Sequence, residues 1–361
     1  MERHCSKVVQ VVKRFGLCGG MEEYVYRLSE HLVLLGLKVS ILCEEKVNYP
    51  EDCKINVVEL GRTRKKPRWL SHLLFAQKVE KWVQVHQDEK SIIHSHERIC
   101  CHHITTIHST LFNFPRKTGL PSLRKFFNEK LEKSEINNQS VSCVVPVSKV
   151  IGDQIEQKFP NSIYKLSKPI NPGIDEIFPK KSERIENESF RLGFIGEEWK
   201  RKGLPKVIEI WRLLVKKGVD CQLVLAGFSQ AENIGLSRTE IGNVKILGWL
   251  SDKSKFYSNI DILLHPAKRE AYGMVIAESA SLGIPFVCSN ECGASTLARE
   301  GYGKAVPESA PTKTWVEQLI SLISLEPSGE FYQRPWSNVA KEYADLYEKI
   351  QPSSNRIEHM Q

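Results

Sequence analysis

The chain has 361 residues, of which 41% are hydrophobic and 26% are charged. This composition is that of a folded globular protein, and the length predicts two domains because one hydrophobic core rarely serves more than about 250 residues. No apolar run approaches the roughly 20 residues that a membrane-spanning helix needs. The N-terminal stretch MERHCSKVVQVV reaches Lys13 and Arg14 too soon for a secretory signal, so we expect a cytoplasmic protein.

The formal net charge of +8 favours anionic partners, which include phosphorylated small molecules, an acidic membrane face and nucleic acid. Nucleic acid is not expected, because no basic stretch lies in a recognisable nucleic-acid-binding module. The ten cysteines are scattered without a CxxC pair, which predicts reduced thiols that pack as small apolar side chains.

The first half of the chain alternates short apolar runs with amphipathic segments. Strands are predicted at SKVVQVVKRF, KVSILCEE, INVVEL, SIIHSH, ITTIHS and SCVVPVS, with a helix over 22–35 after the first of them. Buried strands that alternate with helices indicate a parallel, doubly wound sheet. We assign residues 1–178 to this first domain.

The second half repeats this plan. Strands are predicted at FRLGFIG, QLVLAGF, VKILGW, DILLHPA and PFVCSN, and helices over 204–217, 253–257 and 312–325. A proline-rich and charged stretch before them is typical of a linker and places the boundary at 178–189. We predict a second α/β domain over 190–330, and a final amphipathic helix with a tail over 331–361. Two such sheets facing each other would form a cleft, because ligands bind beyond the carboxyl ends of parallel strands.

A glycine-rich turn, RFGLCGGMEEYVYRLSEHL, joins the first strand to the first helix. Gly19 and Gly20 let the backbone approach a phosphate or a sugar closely, and the start of a helix favours negative charge. The spacing is not that of the dinucleotide fingerprint GxGxxG, and Glu22 and Glu23 open the helix. A plain strand-to-helix turn is therefore the alternative.

The matching element of the second half, FIGEEWKRKGLPKVIEI, places Arg201 and Lys202 where a strand leads into a helix. Two cations at a helix N-terminus can neutralise a diphosphate, which predicts a phosphate site. The alternative is a solvated basic turn.

The stretch REAYGMVIAES contains two glutamates, Glu270 and Glu278, eight positions apart. On one helix their backbones would be about 12 Å apart, so we predict that Glu270 lies in a loop and that the helix begins near Gly273. Both carboxylates would then face one ligand and accept hydrogen bonds from its hydroxyl groups. The alternatives are a glycosidase acid–base pair and, for Glu278, a salt bridge on the helix surface.

Five histidines and two cysteines fall within the stretch HSHERICCHHITTIHS. This density suggests zinc, but the cluster spans two predicted strands and lacks CxxC and HxxxH spacing, so we expect no metal site. His108 follows the ITTI strand at the edge where the ligands of a parallel sheet gather. It is therefore the better candidate for contact with a substrate.

Two basic stretches, residues 61–70 and 114–133, lie apart from these motifs. The second is predicted to form a helix with cations beside an apolar stripe of Leu123, Phe126, Phe127 and Leu131. This pattern is typical of a helix that lies on acidic lipid, which would make the protein peripheral on the cytoplasmic face of a membrane. A core-facing amphipathic helix is the alternative.

The chain resembles the family 4 retaining glycosyltransferases in four places: GGMEEYVYRLSEHLVLLGLKVSIL, VSKVIGDQIEQKFP with INPGIDEIF, the RKG turn, and EAYGMVIAESASLGIPFV. The resemblance extends over nearly the whole chain. Within the family, the sequence is most similar to the glucosyltransferases of bacterial lipopolysaccharide core assembly. This implies the GT-B fold, in which two Rossmann-like domains face each other and a C-terminal helix crosses back to the first. It also implies a place at the cytoplasmic face of the inner membrane.

The resemblance implies roles for individual residues, with Glu270, Arg201, Lys202 and His108 as the catalytic set. Arg201 and Lys202 would hold the diphosphate of a nucleotide sugar, Glu278 its ribose, and Glu270 the hydroxyls of the transferred sugar. The other implied donor contacts are Gly273, Met274, Val275 and His108 on the sugar, Gly19 and Gly20 on the sugar or its phosphate, and Trp249 and Leu250 at the base.

The implied reaction moves a hexose, expected to be glucose from uridine diphosphate (UDP) glucose, to a glycan or glycolipid acceptor on the side of the first domain. Anomeric configuration would be retained, and no metal or other cofactor is expected, since fixed cations and helix amides can stabilise the leaving phosphate. Many family members carry an arginine where this chain has Glu197, which leaves Arg201 as the second cation. A sugar phosphorylase, a nucleotide-sugar epimerase and a non-catalytic nucleotide-sugar binder are the alternatives.

Overall fold

The structure is a computed structural model that describes residues 7–49, 55–64, 66–86, 91–111, 123–174, 189–229, 234–237, 239–299, 302–323 and 331–350. The chain divides into two compact units. The first unit consists of Met1–Gly173 together with Arg334–Gln361, and the second unit consists of Ile174–Gln333. Residues 175–188 of the predicted linker lie outside the described residues.

The first unit contains a six-stranded parallel sheet and a two-stranded ribbon. Its strands are β1 (Lys7–Val11), β2 (Arg14–Phe15), β3 (Lys38–Cys43), β4 (Glu45–Lys46), β5 (Asn56–Glu59), β6 (Ser91–Ser95), β7 (Ile104–Ile107) and β8 (Cys143–Pro146). Its helices before the second unit are α1 (Gly20–Leu34), α2 (Arg68–His86), α3 (Leu123–Asn137) and α4 (Lys149–Lys158). The large sheet has the order β5-β3-β1-β6-β7-β8, and β2 pairs with β4.

The second unit contains one six-stranded parallel sheet. Its strands are β9 (Phe190–Ile195), β10 (Cys221–Ala226), β11 (Val244–Ile246), β12 (Ile262–His265), β13 (Phe286–Ser289) and β14 (Gly303–Val306). Its helices are α5 (Leu204–Lys216), α6 (Ser254–Tyr257), α7 (Met274–Ser281) and α8 (Thr312–Ile323). The order β11-β10-β9-β12-β13-β14 repeats that of the first sheet, and it is the 3-2-1-4-5-6 order of nucleotide-binding sheets. The prediction of two parallel α/β domains is confirmed.

The strands are runs of apolar, mostly β-branched residues because helices cover both faces of each sheet. Neighbouring residues of one strand enter different cores: Val8 packs towards α1, whereas Val9 packs towards α2. The same alternation separates Ile92 from Ile93 on β6. The sheet of the first unit is therefore buried on both sides.

The last helix, α9 (Trp336–Lys349), belongs to the first unit, although the whole second unit precedes it in the chain. Its predicted apolar stripe forms the buried face, with Trp336, Tyr343 and Tyr347 in one core with α1. Trp336 also packs against Gly173, where an added Cβ would lie 2.7 Å from the indole ring. The predicted return of the C-terminal helix to the first domain is confirmed.

Two glycines in left-handed conformations begin the helices nearest the candidate site. Gly203 precedes α5 with φ of +90°, and Gly273 precedes α7 with φ of +95°. A Cβ on Gly203 would overlap the carbonyl oxygen of Pro266, so α5 starts in direct contact with the loop that follows β12. The loops after β9 and β12 therefore meet where the order of the sheet reverses, which is where such sheets bind ligands.

We expect Gly203→Ala to destabilise the protein by about 3 kcal/mol, because it combines left-handed strain with backbone overlap at Pro266. Gly218→Ala is the matched control, since Gly218 has φ of +83° but open space around its Cβ position, and it should cost about 1 kcal/mol. Urea unfolding measures both changes. Equal losses would show that the contact with Pro266 does not constrain the turn.

Candidate active site

The turn after β9 brings both predicted phosphate-binding cations to the carboxyl end of the sheet. The aliphatic part of Lys202 lies across Gly196, where a Cβ would lie 2.4 Å from its Cδ. Arg201 Nη1 donates to the carbonyl oxygen of Arg269 at 2.6 Å and to Glu270 Oε2 at 3.3 Å. Its Nε donates to Glu198 Oε2 at 2.8 Å. Arg201 thus joins the loops that follow β9 and β12.

Glu270 lies in a loop, as predicted, and its backbone is fixed on both sides. Its N–H donates to the carbonyl oxygen of Glu291 at 3.2 Å, and its carbonyl oxygen accepts from the N–H of Gly293 at 3.2 Å. Burial by itself would raise the pKa of the Glu270 carboxyl, but the neighbouring His265, Lys202 and Arg201 lower it to about 2. The carboxylate is therefore ionised at neutral pH and accepts hydrogen bonds without donating any.

His265 is a site residue that the sequence reasoning missed. It ends β12, its side chain is fully buried, and its Nε2 lies 3.9 Å from Glu270 Oε2. Burial lowers the pKa of His265, and neither ring nitrogen has a hydrogen-bond partner among the described residues. The signal in the sequence was a histidine at the carboxyl end of the apolar run DILLH, which resembled part of a core strand.

Glu278 lies in the second turn of α7 and is only 4% exposed. Its Oε2 accepts from the Tyr257 hydroxyl at 2.5 Å, and its Oε1 pairs with Lys253 Nζ at 2.6 Å. The pKa of Tyr257 is raised well above its usual value by burial and by the Glu278 charge, so the tyrosine remains a donor. The two glutamates of the motif thus engage different partners and do not form an acid–base pair.

The N-terminus of α7 faces the same loop. Met274 and Val275 form its first turn, in which the backbone N–H groups have no acceptor within the helix. No acidic residue lies in this turn, and the acidic group beside it is the Glu270 carboxylate of the preceding loop. These amides can bind an anion or a sugar hydroxyl.

Trp249 and Leu250 follow β11 on a loop at the carboxyl edge of the sheet. The carbonyl oxygen of Gly248 accepts from the N–H of Gly227, which ties this loop to the end of β10. Trp249 is 61% exposed, so its ring is available to stack on a planar ligand. The predicted contact with a base agrees with this exposure but remains a prediction.

Gly19 and Gly20 lie at the start of α1 in the first unit, beside a carboxylate. Glu22 is buried, its Oε2 would lie 2.5 Å from a Cβ on Gly19, and Arg14 pairs with it at 2.5 Å. This carboxylate already lies against the Gly19 side of the turn, where it would compete with a phosphate. Of the two ligands predicted for the glycine turn, a sugar hydroxyl is therefore favoured over a phosphate.

His108 immediately follows β7, as predicted, and is half-buried. Its Nε2 lies 2.8 Å from His96 Nδ1, and the ring of Tyr24 packs edge-on at 4.7 Å between centroids. His94, another histidine of the cluster considered for zinc, is hydrogen-bonded to the side chains of Tyr347 and Thr106. In the part of the chain that the structure describes, no group of three His, Cys, Asp or Glu side chains has the geometry of a metal site.

The two basic stretches meet where α2 contacts α3. Trp69 stacks on Phe127 with 4.1 Å between centroids, and Phe126 is 54% exposed beside them. The predicted apolar stripe does not form one face, because Leu131 is buried whereas Phe126 faces solvent; Leu123 has no described side chain, and residues 112–122 lie outside the described part. Among the described helices, none is long and apolar enough to cross a membrane.

Comparison with known families accounts for both units. A model for Glycosyltransferase Family 4 matches residues 18–176, and one for Glycosyl transferases group 1 matches residues 175–342. CapM of Staphylococcus aureus, a capsular polysaccharide biosynthesis glycosyltransferase, is 28% identical over 152 residues, which cover 41% of this chain and 40% of CapM. The lipopolysaccharide glucosyltransferase WaaG of Escherichia coli is 27% identical over 197 residues, which cover 52% of this chain and 51% of WaaG. The matches thus span about half or less of these two relatives.

Solved structures show the same fold over nearly the whole chain. The crystal structure of WaaG, a glycosyltransferase involved in lipopolysaccharide biosynthesis, superposes with a TM-score of 0.70 and 17% identity and covers 95% of this chain and 98% of that one. Anabaena HepE in complex with UDP-glucose has a TM-score of 0.63 and 16% identity and covers 94% and 95% of the two chains. With both family domains present in succession on this fold, the chain belongs to the family 4 type of GT-B glycosyltransferases.

Proposed function

We propose that the protein is a retaining, metal-independent glycosyltransferase that moves glucose from UDP-glucose to a glycan or glycolipid acceptor in lipopolysaccharide core assembly. The observation that carries the proposal is the contact of Arg201 with the ionised Glu270 beside the N-terminus of α7. This arrangement offers cations to a diphosphate and a carboxylate to sugar hydroxyls. The similarity to WaaG and to HepE, which is described with UDP-glucose, supports the choice of donor.

The chemistry follows from where charge develops. Breaking the bond between sugar and diphosphate leaves negative charge on a phosphate oxygen, which fixed donors stabilise without reorganising. Arg201 already shares its charge with Glu198 and Glu270, whereas Lys202 forms no ion pair with the described residues, so Lys202 supplies the more available charge. The oxygen of the acceptor hydroxyl attacks the anomeric carbon on the face that the phosphate vacates. A phosphate oxygen of the leaving group takes the proton of that hydroxyl.

Glu270 does not act as a general acid in this scheme. A glycosidase needs one carboxyl group with a raised pKa, and the pKa of Glu270 is lowered to about 2. The glycosidase alternative is therefore disfavoured. Its permanent charge makes Glu270 a strong acceptor for hydroxyl groups of the transferred sugar.

Glu278 has capacity for the ribose despite its two partners. Each carboxylate oxygen has two lone pairs, and Tyr257 and Lys253 use one on each oxygen. Lys253 is 38% exposed and can move aside, whereas Tyr257 is buried and fixes the carboxylate. A ribose hydroxyl would then bind to an acceptor that is already oriented.

We expect Glu270→Gln to lower kcat about 100-fold, because a neutral amide binds the sugar hydroxyls less strongly in the transition state. UDP alone should bind at least as tightly as before, since Arg201 loses a competing carboxylate. Glu198→Gln is the matched control, because Glu198 also pairs with Arg201 but is 65% exposed. Steady-state kinetics with calorimetry of UDP binding tests both variants, and an unchanged kcat for Glu270→Gln would exclude the assigned role.

The donor can be identified by its effect on stability. UDP-glucose at a hundred times its dissociation constant should raise the free energy of unfolding by about 2.7 kcal/mol, whereas Lys202→Met should lose most of this gain. A thermal-shift screen of nucleotide sugars measures the change. Folded protein that neither binds nor turns over any common nucleotide sugar would refute the proposal, and turnover that needs inorganic phosphate would indicate a phosphorylase.

We also propose that the basic aromatic surface docks on anionic lipid. This surface comprises Trp69, Phe126 and Phe127 with the exposed cations Arg64, Lys66, Arg68, Arg124, Lys130 and Lys133. Lipid with acidic head groups attracts juxtaposed cations by about 1 kcal/mol each, and aromatic rings favour the interface. Docking there would bring the enzyme to a glycolipid acceptor.

Full-length protein should bind vesicles that contain phosphatidylglycerol at low salt and be released at high salt, where the attraction is screened. Phe126→Ser should weaken this binding several-fold. Ile163→Ser is the matched control, because Ile163 is 45% exposed on the same unit but lies outside the surface. Equal binding to neutral vesicles in a co-sedimentation assay would rule out the electrostatic docking.

A further inference from the structure

A row of polar side chains crosses the core of the first unit. In spatial order it runs through His108, His96, Gln10, Tyr347, His94, Thr106, Tyr343 and Tyr24, with successive contacts of 2.8, 2.6, 3.2, 2.7, 2.7, 2.8 and 2.9 Å. All members except His108 are buried. Such a row is expensive to bury unless every group is satisfied, so its hydrogen-bond pattern is strongly constrained.

Gln10 sets the direction of the row, because one end of its amide only accepts and the other only donates. Its Oε1 faces His96 Nε2, so His96 carries its proton on Nε2. Its Nε2 donates to the Tyr347 hydroxyl, which leaves the tyrosine proton for His94 Nδ1.

A neutral imidazole has one N–H, so the Nδ1 of His96 is an acceptor. The group that faces it at 2.8 Å is His108 Nε2, which must then be the donor. Burial lowers the pKa of His96 well below its usual value and that of His108 to about 3, so both rings are neutral at physiological pH. The proton of His108 therefore lies on the nitrogen that points into the core.

We propose that His96 is a positioning residue that holds His108 in its Nε2–H tautomer, so that the unprotonated Nδ1 accepts a hydrogen bond from a substrate hydroxyl. The inference rests on the proposed function, together with the contact between His108 and the transferred sugar that the family resemblance implies. No described residue bonds to His108 Nδ1, and the edge-on packing of Tyr24 fixes the plane of the ring. A fixed acceptor selects a hydroxyl group in a defined orientation and loses little entropy on binding.

The C-terminal helix contributes to this device. Tyr347 and Tyr343 on α9 occupy two positions in the row. The Tyr347 hydroxyl accepts a hydrogen bond from Nε2 of Gln10, whose amide oxygen orients His96. Without the Tyr347 hydroxyl, Gln10 Nε2 would lose its hydrogen-bond acceptor in the row, so the amide that faces His96 would be held less firmly. The C-terminal helix α9 thus helps to set the tautomer of His108, which lies in the loop after β7.

The tautomer is measured directly by two-bond ¹H–¹⁵N correlation spectra of the full-length ¹⁵N-labelled protein, with His108→Gln to assign the ring signals. We expect His108 Nδ1 at the position of an unprotonated nitrogen and Nε2 at that of a protonated one. A proton on His108 Nδ1 overturns the inference whatever the activity of the enzyme. The expected tautomer without transfer from any nucleotide sugar would instead count against the proposed function.

Variants separate positioning from general stability. His96→Phe removes the acceptor and should lower kcat/KM for transfer about tenfold and release the His108 tautomer, whereas His96→Asn keeps an acceptor near Nδ1 and should restore both. Tyr347→Phe should have the same two effects, a lower kcat/KM and a less fixed His108 tautomer, but to a smaller extent than His96→Phe. Tyr26→Phe is the control, because this buried tyrosine of the same unit donates to Glu30 outside the row. If His96→Phe does not fold, the wild-type spectrum decides; an unchanged tautomer and kcat/KM in folded His96→Phe would refute the role of His96.

Discussion

The candidate site depends on keeping one partly buried carboxylate, that of Glu270, ionised. Glu270 is largely out of solvent, and without compensation it would be protonated. Arg201, Lys202 and the nearby ring of His265 reverse this tendency, and Arg201 also ties the Glu270 loop to the turn after β9. A buried ion pair is weak evidence for stability, because desolvation offsets much of the attraction. Its value here is orientation: the charge that we propose accepts sugar hydroxyls is fixed before a ligand binds.

Both units use the same position of the same sheet order for different chemistry. In each sheet the strand order reverses between the first and fourth strands, which are β1 and β6 in the first unit and β9 and β12 in the second. The second unit places cations and a carboxylate there, as suits a charged diphosphate. The first unit places neutral imidazoles and an amide there, and its glycine turn is already occupied by the Glu22 carboxylate. At this position of the sheet, the charged groups thus lie in the second unit and the neutral hydrogen-bonding groups lie in the first.

Local rules predicted the elements but not the pairs between them. The rise of a helix sufficed to place Glu270 in a loop and the start of α7 at Gly273, because that argument needs only the spacing of residues within one segment. The partners of Glu278 lie 21 and 25 positions earlier in sequence on or beside α6, and nothing in the local pattern marks them. His265 was missed for the opposite reason, since a histidine that ends an apolar strand resembles an ordinary core residue.

The stripe on α3 shows how tertiary contacts override an amphipathic pattern. Its polar residues Glu132 and Glu135 are buried and are paired with partly buried cations: Lys158 pairs with the first, and Arg98 lies 3.5 Å from the second. Of the aromatic residues near the start of the helix, Phe126 is exposed and Phe127 stacks on Trp69. The spacing of apolar residues predicts the buried face of a helix only where the core is apolar. Where the core contains charged side chains, as around α3, the same spacing predicts the wrong face.

The long histidine row can remain uncharged for a related reason. A single ion in the core of the first unit would need a partner of opposite charge. In a row of neutral donors and acceptors, each group forms its hydrogen bond with the next group in the row. Such a row has only two consistent directions, and the Gln10 amide selects between them. An element that contributes hydroxyls to the row, as α9 does with two tyrosines, therefore influences the proton on His108 without contacting it. This gives the C-terminal helix a chemical role in addition to its packing role.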